Sequence, residues 1–500
     1  MLRRGAARFR SGAPAIAARA LLSQRFSGAS FCSSSAAIDQ GTGSSQSSSE
    51  PYDVVIVGGG MVGAAVACGL VSSPLTRSLK IAVIDGSPIS FDKVKKSDIP
   101  DPRVSSITPA TVSFCKDIGT WDDLKSKVAP FDSMQVWDYA GLGYTRYNAA
   151  DVDEPVLGYV VENGILVSSL RARLQGSDVD LLCPTQVDSV IFPHRVGGLP
   201  EEEGSNWAHV NLKDGRSIAT RLVVGADGGK SKVRKMAGIS TTGWDYMQEG
   251  LICTVRVDEH HSTAWQRFLP TGPLALLPMN DDFSNIVWST TPEKAKELKS
   301  LPSEDFVNAV NNALTKDFSP PPKSGFAEVL TNRFLSPYFG NLAPSATEEF
   351  QFPVKVKSVE TDRLSFPLSL SHARSYAAPR VVLVGDAAHT VHPLAGQGVN
   401  LGFGDAAALI KVLEKGVRCG LDVGEISLLN EYENTRKFAN LPMMAVLDGF
   451  QRIFSTDSGP VNALRAAGFN LVQSFGPLKK LVISSAMSNG FSGLPGLLRI

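Results

Sequence analysis

The 500-residue sequence predicts an α/β protein in which a Rossmann-like domain is interleaved with an antiparallel-sheet domain and followed by helices. Three observations predict this fold. The apolar run Asp53–Val57, a glycine-rich turn, a helical segment and the apolar run Lys80–Ile84 together form a βαβ unit. From Gly250 to Ser369, short strand-like runs alternate with Pro- and Gly-rich turns. Arg380–Val384 is again typical of a buried parallel strand, so the chain leaves the first domain and later returns to it.

The elements between these landmarks follow from local periodicity. Apolar residues alternate with polar ones in Met134–Tyr139, as in a half-exposed strand, and recur at helical spacing in Asn163–Leu174. Pro292–Leu314 is charged and helical in pattern, and the chain after Leu421 is mainly helical. The predicted segments are 1–50 (leader and linker), 51–130 (first nucleotide-binding segment), 131–160 (strands of the second domain), 161–240 (second nucleotide-binding segment), 241–370 (second domain), 371–420 (third nucleotide-binding segment) and 421–500 (C-terminal helices).

The composition excludes several classes of protein. Hydrophobic residues make up 43% of the chain, enough for a large core, and the 49 basic residues balance the 49 acidic ones. A zero net charge argues against nucleic-acid binding, which needs a basic excess. The six cysteines are scattered without a C-x-x-C pair, so we expect no metal site and no disulfide framework. We find no run of 18 apolar residues, and therefore expect no transmembrane helix.

The first 50 residues have a different character. Arginines are interleaved with Ala, Leu, Phe and Ser, and the first acidic residue is Asp39. A basic, Ser-rich and acid-poor leader predicts a mitochondrial transit peptide. The polar stretch Gly41–Glu50 then predicts a linker, and the whole segment is excluded from the fold.

The first chemical motif is a glycine fingerprint, Gly58-Gly-Gly60-Met-Val-Gly63, between the first strand and the first helix. Gly58 allows a tight turn, Gly60 allows the backbone to approach a pyrophosphate, and Gly63 allows the helix to pack on the strand. Asp85 ends the second strand, where a carboxylate can accept hydrogen bonds from a ribose. The sequence therefore predicts a dinucleotide site here.

A second G-x-G-x-x-A pattern begins at Gly402 but has no strand before it, because Gly396–Leu401 has the pattern of a loop entering a helix. Close packing of small residues explains it better. The chain thus has one dinucleotide fingerprint, whereas reductases that bind two nucleotides have a second one for NAD(P)H.

A loop that precedes a predicted helix has residues suited to a planar ring. Gly396 and Gly398 allow backbone N–H groups to approach such a ring closely, and the helix beginning near Gln397 turns its positive end towards it. Pro393 can narrow one face of the ring without adding a donor. The nearby His389 and His392 lack a third metal ligand, so a metal site is rejected, and a structural role is expected for His389.

Two further motifs occur after the glycine fingerprint. They are Val223-Val-Gly-Ala-Asp227-Gly228 and Val384-Gly385-Asp386-Ala-Ala-His389, the latter continuing as His392-Pro-Leu-Ala-Gly-Gln-Gly-Val-Asn400-Leu401-Gly402. In this order, the three motifs resemble those of the flavoprotein monooxygenases that hydroxylate aromatic rings, over nearly all of residues 51–450.

The resemblance implies an FAD-binding domain of the glutathione-reductase type and an antiparallel-sheet substrate domain. Asp386 is expected to bind the ribityl chain, and the segment from Pro393 to Gly398 is expected to lie against the isoalloxazine. Arg103 matches the position from which an arginine reaches the cofactor. The residues expected to bind FAD are Gly58, Gly60, Gly63, Asp85, Arg103, Asp227, Gly228, Gly385, Asp386, Asn400 and Leu401, and those expected at the reaction centre are Pro393, Gly396, Gln397 and Gly398.

Within this family, Tyr159–Asn163, Phe268–Pro278 and Asp386–Asn400 resemble the ubiquinone (coenzyme Q) biosynthesis members that hydroxylate ring carbon C5. Phe268–Pro278 is apolar and suits a lipid-like pocket beside the flavin, although a sheet core is an equally simple explanation. The resemblance implies a prenylated phenol substrate, dioxygen, peripheral contact with the matrix side of the inner membrane, and a ubiquinone-biosynthesis protein complex. Gly229-Lys230 departs from the usual motif, which leaves details of the pyrophosphate pocket open.

The resemblance also implies that the cofactor supplies the chemistry, so no catalytic triad or carboxylate pair is expected. Electrons are expected from NAD(P)H directly or from a ferredoxin and ferredoxin reductase. The alternatives are a related monooxygenase or epoxidase with another lipophilic substrate, a flavin reductase acting on prenyl double bonds, and a non-catalytic member of the biosynthetic complex.

Overall fold

The computed structural model describes residues 51–88, 98–140, 143–193, 206–315, 345, 348–455 and 458–488. The predicted transit peptide and linker, at residues 1–50, lie outside these ranges. The strands in chain order are β1 (Tyr52–Val57), β2 (Ile81–Ile84), β3 (Val104–Ile107), β4 (Ala129–Phe131), β5 (Ser133–Asp138), β6 (Tyr144–Asn148), β7 (Gly158–Glu162), β8 (Val179–Leu182), β9 (Val187–Ile191), β10 (Ala208–Leu212), β11 (Ser217–Gly225), β12 (Thr241–Val257), β13 (Thr263–Leu269), β14 (Gly272–Pro278), β15 (Phe283–Thr290), β16 (Val356–Val359), β17 (Leu364–Ala373), β18 (Ala377–Ala378), β19 (Val381–Leu383) and β20 (His389–Thr390).

Helices connect many of these strands and form the end of the described chain. They are α1 (Met61–Ser72), α2 (Pro109–Asp117), α3 (Trp121–Leu124), α4 (Asn163–Leu174), α5 (Lys232–Met236), α6 (Pro292–Ser300), α7 (Ser303–Thr315), α8 (Gln397–Arg418), α9 (Ile426–Phe454), α10 (Gly459–Ser474) and α11 (Gly476–Met487). Short 3₁₀ turns occur at Ala149–Val152, Gly385–Ala387 and Pro393–Ala395.

The first sheet is the nucleotide-binding sheet. Its strands run in the order β18-β19-β11-β1-β2-β8, and β1 is parallel to both β11 and β2. β19 is also parallel to β11. Val54, Val55 and Ile56 are completely buried, which explains why β1 has the continuous apolar sequence of a central parallel strand. The carboxyl ends of β19, β11, β1 and β2 therefore meet along one edge, and this edge bears all three motifs.

The second sheet has the strand order β20-β17-β12-β15-β14-β13-β5-β6, with β16 also paired to β12. Its pairings are antiparallel except that of β13 with β5, which is parallel. β5 and β6 precede the second nucleotide-binding segment in the chain, so the two sheets are interleaved in the sequence. A small third sheet has the order β3-β7-β4.

Hydrophobic clusters cover both faces of the second sheet. On one face, Trp265 and Leu269 of β13 pack with Phe306 and Val310 of α7. On the other face, Phe268 of β13 packs with residues from the third motif and α9. Side chains alternate between the two faces along β13. Trp265 and Leu269 thus lie in the core covered by α7, and Phe268 lies against the predicted flavin site.

Two local predictions need correction. The helical stretch Pro292–Leu314 is two helices, because Leu301 is extended and Pro302 cannot donate a backbone hydrogen bond. The short strand predicted at Leu251–Val257 is the end of β12, which begins at Thr241 and has an irregularity between Asp245 and Gln248. The helix predicted to begin near Gln397 is confirmed, because α8 begins at that residue.

Candidate active site

The glycines of the first motif divide into two kinds. Gly58 has a φ of +108°, and a Cβ atom there would lie 2.3 Å from the carbonyl oxygen of Ala226. A Cβ on Gly63 would lie 1.9 Å from the carbonyl oxygen of Gly58. Gly60, in contrast, has no atom within 4 Å of its Cβ position. Gly58 and Gly63 are therefore required for packing, whereas Gly60 faces open space at the start of α1.

Asp85 holds this glycine turn in place. Its Oδ2 accepts a 2.7 Å hydrogen bond from the backbone N–H of Gly59, and its Oδ1 accepts one of the same length from Ser87. Arg171 of α4 donates to the carbonyl oxygen of Gly59 at 3.0 Å, a contact that sequence reasoning missed. Nothing in the amphipathic pattern of α4 distinguishes Arg171 from an exposed arginine.

Asp227 organises the second motif. Its Oδ1 accepts from the hydroxyl of Ser231 at 2.5 Å, and its Oδ2 accepts from the backbone N–H of Lys232 at 2.6 Å. Both carboxylate oxygens thus satisfy donors at the start of α5. Gly228 follows with a φ of +79° and no atom within 4 Å of its Cβ position, so this turn also faces open space.

Arg234 joins the second motif to the third. Its guanidinium donates to the carbonyl oxygens of Ala387, at 2.7 Å, and Gly229, at 2.8 Å. The side chain is 7% exposed, and this desolvation lowers the pKa of the guanidinium, although the nearby Asp227 opposes the effect. Gly229, at the point where the sequence departs from the family pattern, therefore contributes a backbone acceptor.

A buried network of charged side chains holds the third motif against α8 and α9. Asp405 of α8 accepts from the backbone N–H of Gly385 at 2.9 Å, from His389 Nε2 at 2.6 Å and from Arg436 of α9 at 2.7 Å. Asn440 Nδ2 lies 3.2 Å from Asp405 Oδ1. Burial alone would raise the pKa of Asp405, but His389 and Arg436 outweigh it and hold that pKa at about 2.

Asp405 lies inside the second G-x-G-x-x-A pattern. The prediction of close helix packing is confirmed for Gly402, whose Cβ position is 2.6 Å from Val62 of α1. That prediction nevertheless overlooked Asp405, although an acidic residue within an apolar helical stretch was a usable indication of a buried network.

Asp386 follows Gly385 at the carboxyl end of β19. Its side chain is exposed, but the protein atoms around it partly desolvate the carboxylate. This desolvation raises the pKa of Asp386, with His389 acting against the shift and Asp405 adding to it. A hydroxyl donor of a ligand bound at the third motif would satisfy this carboxylate.

The start of α8 has backbone that is accessible to a ligand. Gly396 has a φ of +59°, and a Cβ atom there would lie 2.1 Å from Ser106 Oγ of β3. Next to it, Gln397 donates to the carbonyl oxygen of Ala486 in α11 at 3.2 Å, while its Oε1 is buried without a hydrogen-bond partner among the described residues. The Cβ position of Gly398 has only Val391 nearby, at 3.9 Å, so open space lies in front of it.

Asn400 and Leu401 lie deeper than the loop. Asn400 Oδ1 accepts from the backbone N–H of Thr108 at 3.0 Å and from Thr111 Oγ1 at 2.7 Å, and its Nδ2 donates to the carbonyl oxygen of Ser106 at 2.9 Å. Leu401 is completely buried in a hydrophobic cluster. Asn400 therefore fixes α8 against β3 and the start of α2, and Leu401 packs α8 against the second sheet and α9. This leaves the backbone for the predicted contact with the cofactor.

Pro393 begins its 3₁₀ turn directly after a buried histidine. His392 is completely buried, and burial lowers the pKa of its imidazole to about 4. Its Nε2 lies 3.2 Å from Gln248 Oε1, and Gln248 Nε2 donates to the carbonyl oxygen of Thr271 at 2.7 Å. Because that carbonyl only accepts, Gln248 turns its oxygen to His392, and Nε2 of His392 therefore donates this hydrogen bond. Among the described residues, no group of His, Cys, Asp or Glu side chains is arranged to hold a metal ion.

Arg103 lies directly before β3. Its guanidinium forms hydrogen bonds of 2.6 and 2.9 Å with both carboxylate oxygens of Asp101, and the side chain is 65% exposed. Contact with the cofactor stays a prediction for this residue, and such contact would require the side chain to extend away from Asp101.

An apolar cluster faces the third motif from the second sheet. Phe268 of β13 and Val136 of β5 pack with Leu394, which belongs to the turn after Pro393. Met443 and Leu447 of α9 complete this cluster. The site therefore has a polar, glycine-lined edge on the first sheet and an apolar wall on the second.

The open glycines allow a test of whether the residues fit FAD. Gly60, Gly228 and Gly398 come from three separate motifs, and each presents backbone with a Cβ position that has no atom closer than 3.9 Å. Gly60 precedes α1 and provides no side-chain cap, and the first turn of α1 has no acidic residue, so its N–H groups are available to a pyrophosphate. The residues thus fit a long dinucleotide with a planar ring at the Gly398 end.

Comparison with known proteins gives a consistent result. The sequence profile of the family described as "FAD binding domain" matches residues 51–336 and 342–443. The chain is 37% identical to the ubiquinone biosynthesis monooxygenase COQ6, mitochondrial, of Xenopus tropicalis, over 90% of this chain and 96% of that protein. It is likewise 37% identical to the human protein of that name, over 87% of this chain and 92% of the human one.

Solved structures share the fold at low sequence identity. The p-nitrophenol 4-monooxygenase PnpA of Pseudomonas putida superposes with a TM-score of 0.62 at 16% identity, covering 88% of this chain and 99% of that one. A Klebsiella pneumoniae HpxO variant crystallised with FAD gives a TM-score of 0.59 at 16% identity, with the same coverage.

Proposed function

Since this chain belongs to the family of FAD-dependent monooxygenases that act in ubiquinone biosynthesis, we propose that it hydroxylates ring carbon C5 of a polyprenyl-4-hydroxybenzoate-type phenol. The observation that supports this most strongly is the similarity to the COQ6 proteins along nearly the whole of both chains. The geometry adds three glycines with open Cβ positions and an apolar cluster beside the third motif, which suits a prenylated aromatic substrate.

Each group of residues has a distinct task in this proposal. The start of α1 and the turn at Gly228 bind the phosphates, and Asp85 and Asp386 accept hydrogen bonds from hydroxyl groups. FAD, when bound, supplies the activation of dioxygen and the transfer of one oxygen atom to the ring. The backbone N–H groups after Gly396 stabilise negative charge on the ring of the cofactor, because the positive end of α8 points there.

The substrate side of the site must orient a phenol and keep water out. Phe268, Leu394 and Met443 provide apolar surface, and none of them is charged or capable of acid–base chemistry. The neighbouring His392 is neutral above a pH of about 4, so it adds no charge next to the reacting ring. Exclusion of water is important here because it limits the release of hydrogen peroxide in place of product.

The test of this proposal uses isotopically labelled dioxygen. Reduced holoenzyme is given labelled dioxygen and a prenylated 4-hydroxybenzoate, and the product is examined by mass spectrometry and NMR. We expect one labelled oxygen on the ring, at C5. Label from water would eliminate the monooxygenase mechanism, and label at another ring carbon would eliminate only the position.

The same experiment separates the alternatives that the sequence left open. An epoxidase would place the labelled oxygen on the prenyl chain, and a prenyl reductase would consume no dioxygen. A non-catalytic member of a complex would purify without flavin. No observation favours any of these over ring hydroxylation.

The electron donor, the location and the complex belong to the same proposal. We propose that the protein works at the matrix side of the inner mitochondrial membrane within a ubiquinone-biosynthesis complex, supported by the mitochondrial names of its relatives.

Only one dinucleotide fingerprint is present, so NAD(P)H has no second Rossmann site of its own. Turnover measured with NADH, with NADPH and with a ferredoxin–ferredoxin reductase pair distinguishes the donors.

A further inference from the structure

β12 departs from regular strand pairing beside the third motif. The residues on either side of the irregularity, Asp245 and Gln248, pair with two consecutive residues of β17. Tyr246 and Met247 lie between them and pair with no residue of that strand. Met247 has a φ of +53°, a left-handed conformation that is strained for a residue other than glycine. Strain of this kind persists where the surrounding structure requires it, and it is frequent at functional sites.

Two side chains of this irregular segment contact His392. Gln248 Oε1 lies 3.2 Å from His392 Nε2, and the ring of Tyr246 meets the imidazole edge to face, with 5.0 Å between the ring centroids. His392 is completely buried, so water does not compete for these contacts. The irregularity in β12 thus brings a hydrogen bond and an aromatic contact to the residue directly before Pro393.

The amide of Gln248 is held at both ends. Its Nε2 donates to the carbonyl oxygen of Thr271, in the turn between β13 and β14, at 2.7 Å. Its Oε1 accepts from Gln451 Nε2 of α9 at 2.7 Å, in addition to the bond from His392. A carbonyl oxygen has two lone pairs, so these two donors occupy both. The orientation of this amide therefore fixes the proton on Nε2 of His392.

α9 joins this network through two residues one helical turn apart. Tyr246 donates to Asp448 Oδ1 at 3.0 Å, and Gln451 supplies the donor already described. Asp448 is paired with Arg452 at 2.8 Å, so the charges of α9 that border the network neutralise each other. Burial alone lowers the pKa of His392 to about 4, and the imidazole is therefore uncharged at neutral pH.

Other titratable side chains on the neighbouring strands have their own surroundings. On β12, Asp245 is exposed and accepts from a backbone N–H within the irregular segment at 2.7 Å, while Glu249 borders a surface groove beside Lys296. On β20, His389 is paired with the buried Asp405. A carboxylate introduced at the amide position of the network would thus be a new charge beside the imidazole.

The turn that follows His392 belongs to both sides of the candidate active site. Leu394, in the middle of this turn, packs with Phe268 in the apolar cluster. Gly396 ends the turn and leads directly into α8, whose first N–H groups face the ring of the cofactor in the proposed function. A displacement of His392 would therefore move the apolar wall and these N–H groups together.

We propose that Gln248 and His392 are positioning residues that fix the turn Pro393–Ala395 against the apolar cluster, so that oxygen transfer stays coupled to hydroxylation of the substrate. Both residues act through the turn that follows His392. The coupling of oxygen transfer rests on the proposed function, whereas the positioning of the cofactor ring does not.

The test replaces Gln248 with glutamate and follows the FAD-loaded protein over pH. In Gln248→Glu, the carboxylate would raise the pKa of His392 above about 4, because an opposite charge stabilises the protonated imidazole. Its second oxygen would face the carbonyl oxygen of Thr271, and the two would repel each other once the proton shared with His392 is lost. Hydrogen peroxide released per hydroxylated product, relative to wild type, should therefore rise about fivefold from about pH 5 to about pH 8, the effect of losing one hydrogen bond.

Gln135→Glu is the matched control. Gln135 is also completely buried, and its Nε2 donates to the carbonyl oxygen of Gln351 at 2.8 Å while its Oε1 accepts from the backbone N–H of the same residue at 3.0 Å. The same exchange thus places a carboxylate opposite a carbonyl, but beside Arg146 instead of His392. This control should keep the wild-type ratio at every pH, whatever its thermal midpoint, and a pH-dependent increase there as well would overturn the proposal.

Substitutions of His392 provide a second measurement. His392→Gln keeps an N–H donor near the position of Nε2, so its ratio of peroxide to product should remain close to that of wild type. His392→Leu removes the donor, so its ratio should rise about fivefold at every pH. This pair decides the question if Gln248→Glu fails to fold. A wild-type ratio in His392→Leu, or a wild-type pH profile in Gln248→Glu, would overturn the proposal.

The visible absorption band of the bound FAD separates the positioning role from the proposed function. The band responds to the groups around the ring, so it should shift with pH in Gln248→Glu and stay constant in wild type and Gln135→Glu. If these results are obtained but wild type hydroxylates no prenylated phenol, the proposed function fails and the positioning role stands. If wild type hydroxylates the ring and neither the band nor the ratio changes in Gln248→Glu, the positioning role alone fails.

Discussion

At the scale of single residues, the glycines of the site have opposite relations to their surroundings. Gly63 is pressed against the carbonyl oxygen of Gly58, whereas Gly60 faces open space only three positions earlier. The fingerprint assigns Gly60 to the approach of a pyrophosphate and Gly63 to helix packing, and these surroundings agree with both roles. The structure shows that a side chain at Gly63 would disturb the protein, and that one at Gly60 would disturb only what binds there.

The substitution Gly60→Val should therefore remove FAD without unfolding the protein. The Cβ position of Gly60 has no atom within 4 Å, so the new side chain would fill the space that the pyrophosphate needs. Flavin absorbance of the purified protein measures occupancy, and the thermal midpoint of the apoprotein should stay within a few degrees of wild type. The control Gly468→Val, on an open position of α10, should keep its flavin. Full occupancy in Gly60→Val would show that the fingerprint is misplaced.

At the other end of the cleft, Gly398→Val should disturb the reaction centre. The Cβ position of Gly398 is open, so the branched side chain would project towards the ring of the cofactor. We expect loss of flavin, or retained flavin with more hydrogen peroxide released per hydroxylated product. Parallel assays of peroxide, product and dioxygen consumption measure this ratio, and an unchanged ratio at full occupancy would contradict the predicted role of the loop.

At the scale of elements, Asp405 connects α8, α9 and the turn that contains Gly385. The groups that approach its two oxygens are N–H donors. An asparagine at this position would turn its own NH₂ group, which is also a donor, towards some of them. Asp405→Asn should thus lower the free energy of unfolding by about 3–5 kcal/mol, the usual effect of breaking a buried ion pair. Asp214→Asn, at an exposed pair with Arg216, is the matched control and should cause no measurable loss.

The same carboxylate predicts a dependence on pH. The folded protein holds the pKa of Asp405 at about 2, below the ordinary 3.8, so the ionised form stabilises the fold. This contribution is complete above a pH of about 4 and is lost as the pH falls towards about 2. Urea unfolding of wild type and Asp405→Asn across this range should show the gap between them narrowing on acidification. A constant gap would mean that Asp405 does not titrate as the structure indicates.

At the scale of the whole molecule, the leader and the enzyme should be separable. Deleting residues 1–38 should leave the protein in the cytosol without changing its thermal midpoint, because the described fold begins at residue 51. Fractionation of cells that express each form measures location, and calorimetry measures stability. Delivery of the shortened form to the matrix would refute the transit-peptide prediction.

Local sequence patterns were enough to predict the order of the main elements and the chemistry of the cleft. Continuous apolar runs fit strands buried on both faces, and glycines at fixed spacing fit turns that approach a ligand, so local pattern was sufficient for β1, β11 and β19. It was also sufficient for the family, because the three motifs occur in a fixed order. The break at Pro302 was available in the sequence, but the surrounding helical periodicity concealed it.

Relations between distant residues became visible only in the folded chain. Asp405, Arg436 and His389 lie on separate elements, and no local pattern indicates that they share one buried network. The outer face of α9 has the composition of a core face, and only the fold shows that Phe438 and Phe450 point outwards while Met443 points to the active site. Periodicity gives the faces of a helix, but which face is buried depends on what the rest of the chain places against it.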